Sequence, residues 1–277
     1  MTNGVEGSTT SVAFQMAKTF EFGSSSSVDI GVGYSYLDAV VGNPVTSFTA
    51  GSSYENTAKT NINDVELGPA LWASKHNIVL SARFKHYWND NNATSVGFFF
   101  SRRSGRPFSW TYEDDTVEDL FGDSDDEENI LIYVPTGQSD PAYDWSEMDQ
   151  DDVDAFFAFL DSSGLSKYAG GIAPKNGFEG KWSSDLDIRI SQEIGLFGDH
   201  QLQIFLDLEN ALSLFGHNKN IRNFNRAGDV PEALRTLELD DGSTDVYEVT
   251  DIFFEGTNNI DTDDSVYRVQ LGISYRF

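Results

Sequence analysis

The chain has 277 residues, with 18 Lys+Arg against 45 Asp+Glu and a formal net charge of −27; its pI is near 4.2. This acidic excess excludes nucleic acid as a partner, because phosphate recognition needs a basic face, and it disfavours an anionic cytoplasmic membrane surface. Aromatic residues make up 13% of the chain and cysteine is absent, which excludes a disordered acidic polymer and any disulfide framework or thiol chemistry.

Met1 to Gly7 carry neither a basic region nor an apolar run, so no signal peptide is expected there. The sequence-level expectation is a piece of a longer protein. No apolar run approaches the roughly 18 residues of a membrane helix, and strands are the remaining way to cross a bilayer.

The first predicted strand runs from Thr10 to Phe22, alternating through Val12, Phe14, Met16, Phe20 and Phe22. A turn at Gly23–Ser26 leads to a second, with Val28, Ile30, Val32, Tyr34 and Tyr36 on one face. A polar stretch, Gly42 to Lys75, follows. His76 to Trp88 sets Ile78, Leu80, Ala82 and Phe84 against Ser81, Arg83 and Lys85. After a turn at Asn89–Ala93, Val96, Phe98 and Phe100 mark the fourth strand.

Ser101 to Lys181 reads as a long irregular region, with a short helix over Asp152–Leu160 capped by Asp152 or Asp154. Trp182 to Ile194 alternates Leu186, Ile188 and Ile190 against Asp185, Asp187, Arg189 and Ser191. Beyond the turn Gly195–Asp199, Leu202, Ile204, Leu206 and Leu208 oppose Gln201, Gln203, Asp207 and Glu209. A last long region, Asn210 to Asp264, precedes the terminal strand Val266–Phe277. Within the long regions, Asn129–Val134 and Val246–Phe254 are candidates to extend the strands as hairpins.

This is an all-β reading: an antiparallel meander, and a partial transmembrane β-barrel of about seven strands with long extracellular loops. Short turns and long loops alternate, as in barrels with short periplasmic turns and long outer loops. Every short turn falls on the side of Phe277. A β-sandwich would also show alternation, but loops longer than about 15 residues are unusual in a compact soluble domain. Charged residues also stand directly behind continuous aliphatic faces here.

On the face opposite the aliphatic one, Asp185, Asp187 and Arg189 meet Asp207 and Glu209 across a hairpin, with Arg268 on the next strand. These are the candidate lumen-facing residues, either contacting a plug or solute or pairing among themselves in solvent. Asp123, Asp125 and Glu127 offer alternate carboxylates suited to Ca²⁺. The glycine loop of an EF-hand is missing, and a solvated acidic loop is the competing reading. His76, His86, His200 and His217 show no ligand spacing, and Ser104-Gly-Arg is no nucleophile elbow. No enzymatic activity is expected.

Four segments carry a resemblance: Ser104–Ser109 (SGRPFS), Ile130–Thr136 (ILIYVPT), Ser184–Ile194 and Leu202–Asn210. Together they resemble the C-terminal barrel of TonB-dependent outer-membrane receptors, in particular the Oar-like group. The terminal strand is similar to the family's barrel-assembly signal through Gln270, Gly272, Tyr275 and Phe277. The resemblance covers roughly the last two-thirds of the chain. It implies that residues 1–277 are the C-terminal portion of a barrel of about 22 strands, with the plug and earlier strands elsewhere. It implies a location in the Gram-negative outer membrane and energy-coupled uptake of an unknown solute. The implied partners are outer-membrane lipid, the barrel-assembly machinery, the rest of the receptor and, through it, TonB. The alternatives are a surface module binding Ca²⁺, glycan or protein, or a fragment with no independent function.

Overall fold

The computed structural model describes residues 6–42, 48–49, 57–60, 66–112, 130–146, 148–215, 232–238, 247–252 and 266–277. Seven long strands form one sheet: β1 (Ser8–Phe22), β2 (Ser26–Val41), β3 (His76–Asn89), β4 (Asn92–Arg103), β5 (Ser183–Gly195), β6 (Gln201–Glu209) and β7 (Arg268–Arg276). They lie side by side in chain order, and every neighbouring pair is antiparallel. The expected all-β antiparallel meander is therefore the observed one. Among the described residues, β1 pairs only with β2 and β7 only with β6, so the sheet has two open edges.

Register turns seven separate alternations into two coherent faces, because neighbours directly opposite point the same way. One row reads Phe20, Val28, Phe84, Val96, Ile190, Leu206 and Leu271 across the sheet. The row one residue along reads Thr19, Asp29, Arg83, Gly97, Arg189, Asp207 and Gln270. A one-residue slip in any pair would put charges into the apolar row. The hairpin turns are tight: Gly23 and Gly198 both take positive φ, 67° and 61°, a region in which a Cβ is disfavoured.

The sheet does not bury its apolar face. Phe14, Met16, Phe20, Phe22, Leu271 and Ile273 are all exposed, Leu271 at 71% and Ile273 at 69%. The buried core sits instead in the long region between β4 and β5. Phe108, Trp110, Tyr112, Ile132, Val134, Phe156 and Leu165 belong to one buried cluster there. That region is a folded lobe rather than irregular chain, and short strands build it. Pro107–Phe108 pairs with Phe178–Glu179, and Tyr133–Val134 with Gly171–Ile172. Glu232–Glu238 and Tyr247–Ile252 pair with each other, and each adds a parallel two-residue partner, Thr111–Tyr112 and Tyr143–Asp144. The segments expected to lengthen the long strands form these small sheets instead.

Helix α1 (Gln150–Ser163) lies in the lobe and buries Val153, Phe156 and Leu160. Those positions repeat at three and four residues, one face of a helix. Its N-cap is Asp149, in extended conformation, rather than Asp152 or Asp154. Asp151 and Asp152 fall in the first turn, where carboxylates complement the helix dipole. Gly164 ends the helix in the left-handed region at φ 81°.

Candidate functional site

The polar face of the sheet is concave and borders an open hollow of about 670 Å³ over strands β1 to β6. Ion pairs that cross strands organise it. Arg83 donates from Nε (3.0 Å) and Nη2 (2.7 Å) to Oδ2 of Asp29, whose other oxygen, Oδ1, accepts from Thr19 Oγ1 at 2.7 Å. Lys85 reaches across β4 and donates to both oxygens of Glu193 at 3.0 Å. Arg189 Nε lies 3.4 Å from Asp207 Oδ1, an ion pair without hydrogen-bond geometry. The Arg189 guanidinium also lies 4.2 Å from the centre of the Phe205 ring, within cation–π range.

The sequence-derived polar residues occupy this face. Arg189 stands opposite Asp207, and Glu209 opposite Arg268. Asp185 sits opposite Ser101 and Asp187 opposite Phe99. Asp187 accepts the Asn210 N–H at 3.0 Å, which fixes the bend that follows β6. In the terminal motif, Gln270 is opposite Asp207 and Gly272 opposite Phe205. Tyr275 stacks with His200 at 5.7 Å and with Phe277 at 6.2 Å. Asp123, Asp125 and Glu127 lie outside the described residues. Among the described residues, no group of three or more His, Asp or Glu is placed to hold a metal ion.

Aromatic rings border the apolar face at both ends. At the long-loop end, His76 packs between Tyr34, Tyr36 and Trp182, with centroids 5.4 to 6.2 Å apart. At the short-turn end, His86 meets Trp88 at 4.5 Å, and Phe197 meets His200 at 4.6 Å. Three of the four histidines thus serve as rim aromatics, which explains their lack of ligand spacing. His76 and His86 lie ten positions apart on β3, about 33 Å of strand.

The SGRPFS segment is a joint between sheet and lobe. Ser104 exchanges two hydrogen bonds with the backbone of His76, Ser104 N–H to His76 O at 2.9 Å and His76 N–H to Ser104 Oγ at 3.1 Å. Gly105 crosses the backbone of Gly180 so closely that a Cβ has no room. Ser109 Oγ accepts from Asn176 N–H at 2.8 Å and donates to Asn176 Oδ1 at 2.9 Å. Asn176 Nδ2 then donates to Pro69 O at 2.8 Å, and Lys175 Nζ donates to Gly42 O at 2.6 Å and Glu66 O at 3.2 Å. Burial pushes the Lys175 ammonium below the usual lysine range; Glu66 partly offsets that and Lys59 adds to it. The first two long loops are therefore tied into one body.

Sequence reasoning did not find Asp29–Arg83, Lys85–Glu193, Phe205 or the Lys175–Asn176 joint. Compared with family models, curated proteins and solved structures, the chain matches none.

Proposed function

We propose that this chain forms the C-terminal part of the barrel wall of a TonB-dependent outer-membrane receptor of the Oar-like kind. The observation that carries the reading is the two-faced sheet. A broad apolar face stays exposed across all seven strands, bordered by aromatic rims, while the opposite face is concave, polar and ion-paired. A soluble monomer rarely exposes a contiguous apolar patch of more than a few hundred Å². Lipid is the solvent in which such a face is stable, and strands of this length, at the tilt of about 40° usual in such barrels, would set the two rims roughly 25 Å apart, the height of an outer-membrane apolar band.

The open edges argue for a larger barrel. Unpaired backbone groups are costly in lipid, so β1 and β7 need strand partners, and seven strands make about a third of a 22-strand receptor. On this reading the short turns face the periplasm, the lobe is an extracellular lid, and the polar face lines the lumen. The intact receptor would take up a solute when its plug is displaced through TonB. The chain itself contributes wall and lid, and no catalytic step.

The absence of native cysteine allows a direct test. Single cysteines at Leu206 and Leu271, and at Ser81 and Ser95, are labelled with a polarity-sensitive dye and the chain is folded in phosphocholine detergent micelles, which can cover the apolar face and leave the two strand edges in water. Blue-shifted emission at Leu206 and Leu271 alone is the expected result. Equal spectra at all four sites would sink the reading.

A further inference from the structure

We propose that Arg102, braced on Trp182, is a binding point for the phosphate of a lipid headgroup at the long-loop rim of the apolar face. The register puts Arg102 opposite Ile78 on β3 and Ser184 on β5, and Ile78 opposite Tyr34 on β2. Arg102 therefore belongs to the apolar face, in line with Phe98 and Phe100 on its own strand. Its guanidinium lies 5.2 Å from the centre of the Trp182 ring, within cation–π range. Trp182 in turn stacks on His76 at 5.8 Å, with the rings 11° from parallel. His76 is held by a 2.9 Å hydrogen bond between its Nδ1 and the Tyr34 hydroxyl. The arginine thus sits at the end of a chain of packed rings in the aromatic rim.

The charge balance makes this arginine unusual. The chain carries 45 Asp+Glu against 18 Lys+Arg, and on the concave face Arg83, Lys85 and Arg189 each meet a carboxylate. Among the described residues Arg102 meets none, and it is exposed. Of the carboxylates in the seven long strands, Asp38 alone shares its face. It lies on β2, two strands across and four residues beyond Tyr34, about 16 Å away. The other cation on this face of the strands, Lys18, lies over Phe20 nearer the short turns. An arginine at the border between an apolar band and water, with its fork of donors unengaged, suits a phosphate, which accepts two parallel N–H···O bonds. A lipid brings that phosphate to this spot, because its acyl chains cover the exposed Phe98 and Leu80 further down the same face. A phosphate free in water gains nothing from that surface.

The inference rests on the wall reading, which turns the apolar face to lipid. The full chain is folded in uncharged maltoside micelles and titrated with phosphatidic acid, or with diacylglycerol of the same acyl chains, and bound lipid is counted by native mass spectrometry. Saturable binding of one phosphatidic acid per chain, without diacylglycerol, is the expected result. Arg102→Gln should weaken it about tenfold, and Arg102→Lys, which keeps the charge but loses the fork, by less. If Arg102→Gln does not fold, Arg102→Lys carries the comparison. Arg103→Gln is the control. Arg103 lies one residue along, on the concave face, and donates to Ser183 Oγ at 3.1 Å, so its loss should leave binding unchanged. Equal losses at positions 102 and 103 mean diffuse attraction to positive charge and overturn the site. Equal binding of the two lipids means that the acyl chains alone are recognised, and release of phosphatidic acid by excess inorganic phosphate means that no lipid is needed; either overturns it. If the labelled cysteines report an apolar environment at Leu206 and Leu271 but no phosphatidic acid binds, the wall reading stands and the headgroup site falls. If phosphatidic acid binds in the Arg102-dependent way while all four cysteines report water, the wall reading fails and the headgroup site stands.

Discussion

The ring of Phe205 covers Gly272 on the neighbouring strand, so closely that a Cβ at position 272 would clash with the ring's outer edge. The glycine of the terminal motif is thus a socket for an aromatic side chain. Phe205 in turn carries the Arg189 guanidinium on its ring, which links β5, β6 and β7 through one stack. Gly272→Ala should force Phe205 out of its place, destabilise the sheet by about 1–3 kcal/mol and weaken Arg189 packing. Denaturant midpoints of Gly272→Ala, Phe205→Ala and the double variant check this. The double variant should recover part of the loss, because removing the ring gives the new methyl room.

The two best-formed ion pairs on the concave face should differ in strength. Lys85–Glu193 is the less exposed and joins both carboxylate oxygens, while Arg83–Asp29 stands largely in solvent. Exposed pairs are worth about 0.2–1 kcal/mol and are screened by salt. A double-mutant cycle on each pair, at low and at 0.5 M salt, should give the larger and less salt-sensitive coupling for Lys85–Glu193. Equal couplings would show that burial does not separate them.

The strands were legible because their pattern is local. Alternation of Leu202, Ile204, Leu206 and Leu208 against polar neighbours specifies a strand without knowledge of its partners. Phe205 breaks that pattern, being an aromatic on the polar face, and its meaning needs Gly272 opposite it. The ion pairs were illegible for the same reason: Asp29 and Arg83 are 54 residues apart and Lys85 and Glu193 108 apart. Only the register of the sheet brings them together. The lobe was the largest miss. Its core comes from short, unperiodic stretches such as Phe108, Trp110 and Ile132, whose two-residue strands leave no repeat to read. The SGRPFS segment stands out as a pattern in the sequence, but its work depends on His76, Asn176 and Gly180, all distant in sequence.

The joint between the two long loops should depend on the backbone of Asn176 as well as its side chain. Asn176 has φ +52°, where a Cβ-bearing residue without a local polar group is strained by about 1–2 kcal/mol. Asn176→Gly removes the side-chain bonds to Ser109 and Pro69, retains the backbone N–H to Ser109 Oγ, and keeps the backbone at ease. Asn176→Ala removes the same bonds and adds the strain. Protease cleavage within residues 42–75 should therefore rise in the order unsubstituted, Gly, Ala. Equal cleavage of the Gly and Ala variants would place the effect in the side chain alone.

Asp140 should make the lobe acid-sensitive. Its carboxylate accepts from Thr136 N–H at 2.7 Å and Oγ1 at 2.9 Å, and from Ala142 N–H at 3.0 Å. The backbone bonds from Thr136 and Ala142 lead in holding this carboxyl below the usual aspartate range; burial opposes them. A carboxyl depressed in the folded state contributes stability that is fully present above its unfolded value, near pH 3.9. That contribution is lost as pH falls through the lower folded value. Asp140→Asn keeps the shape and removes the charge, so at pH 7 it should destabilise the lobe by on the order of 1–3 kcal/mol. The difference between the two proteins should begin to shrink as pH drops below about 4 and vanish once the native carboxyl is protonated. Tryptophan fluorescence follows the lobe directly, since Trp145 stacks on Tyr143 at 5.2 Å. A stability gap that stays constant from pH 7 down to pH 2 would show that Asp140 acts through shape and not through its charge.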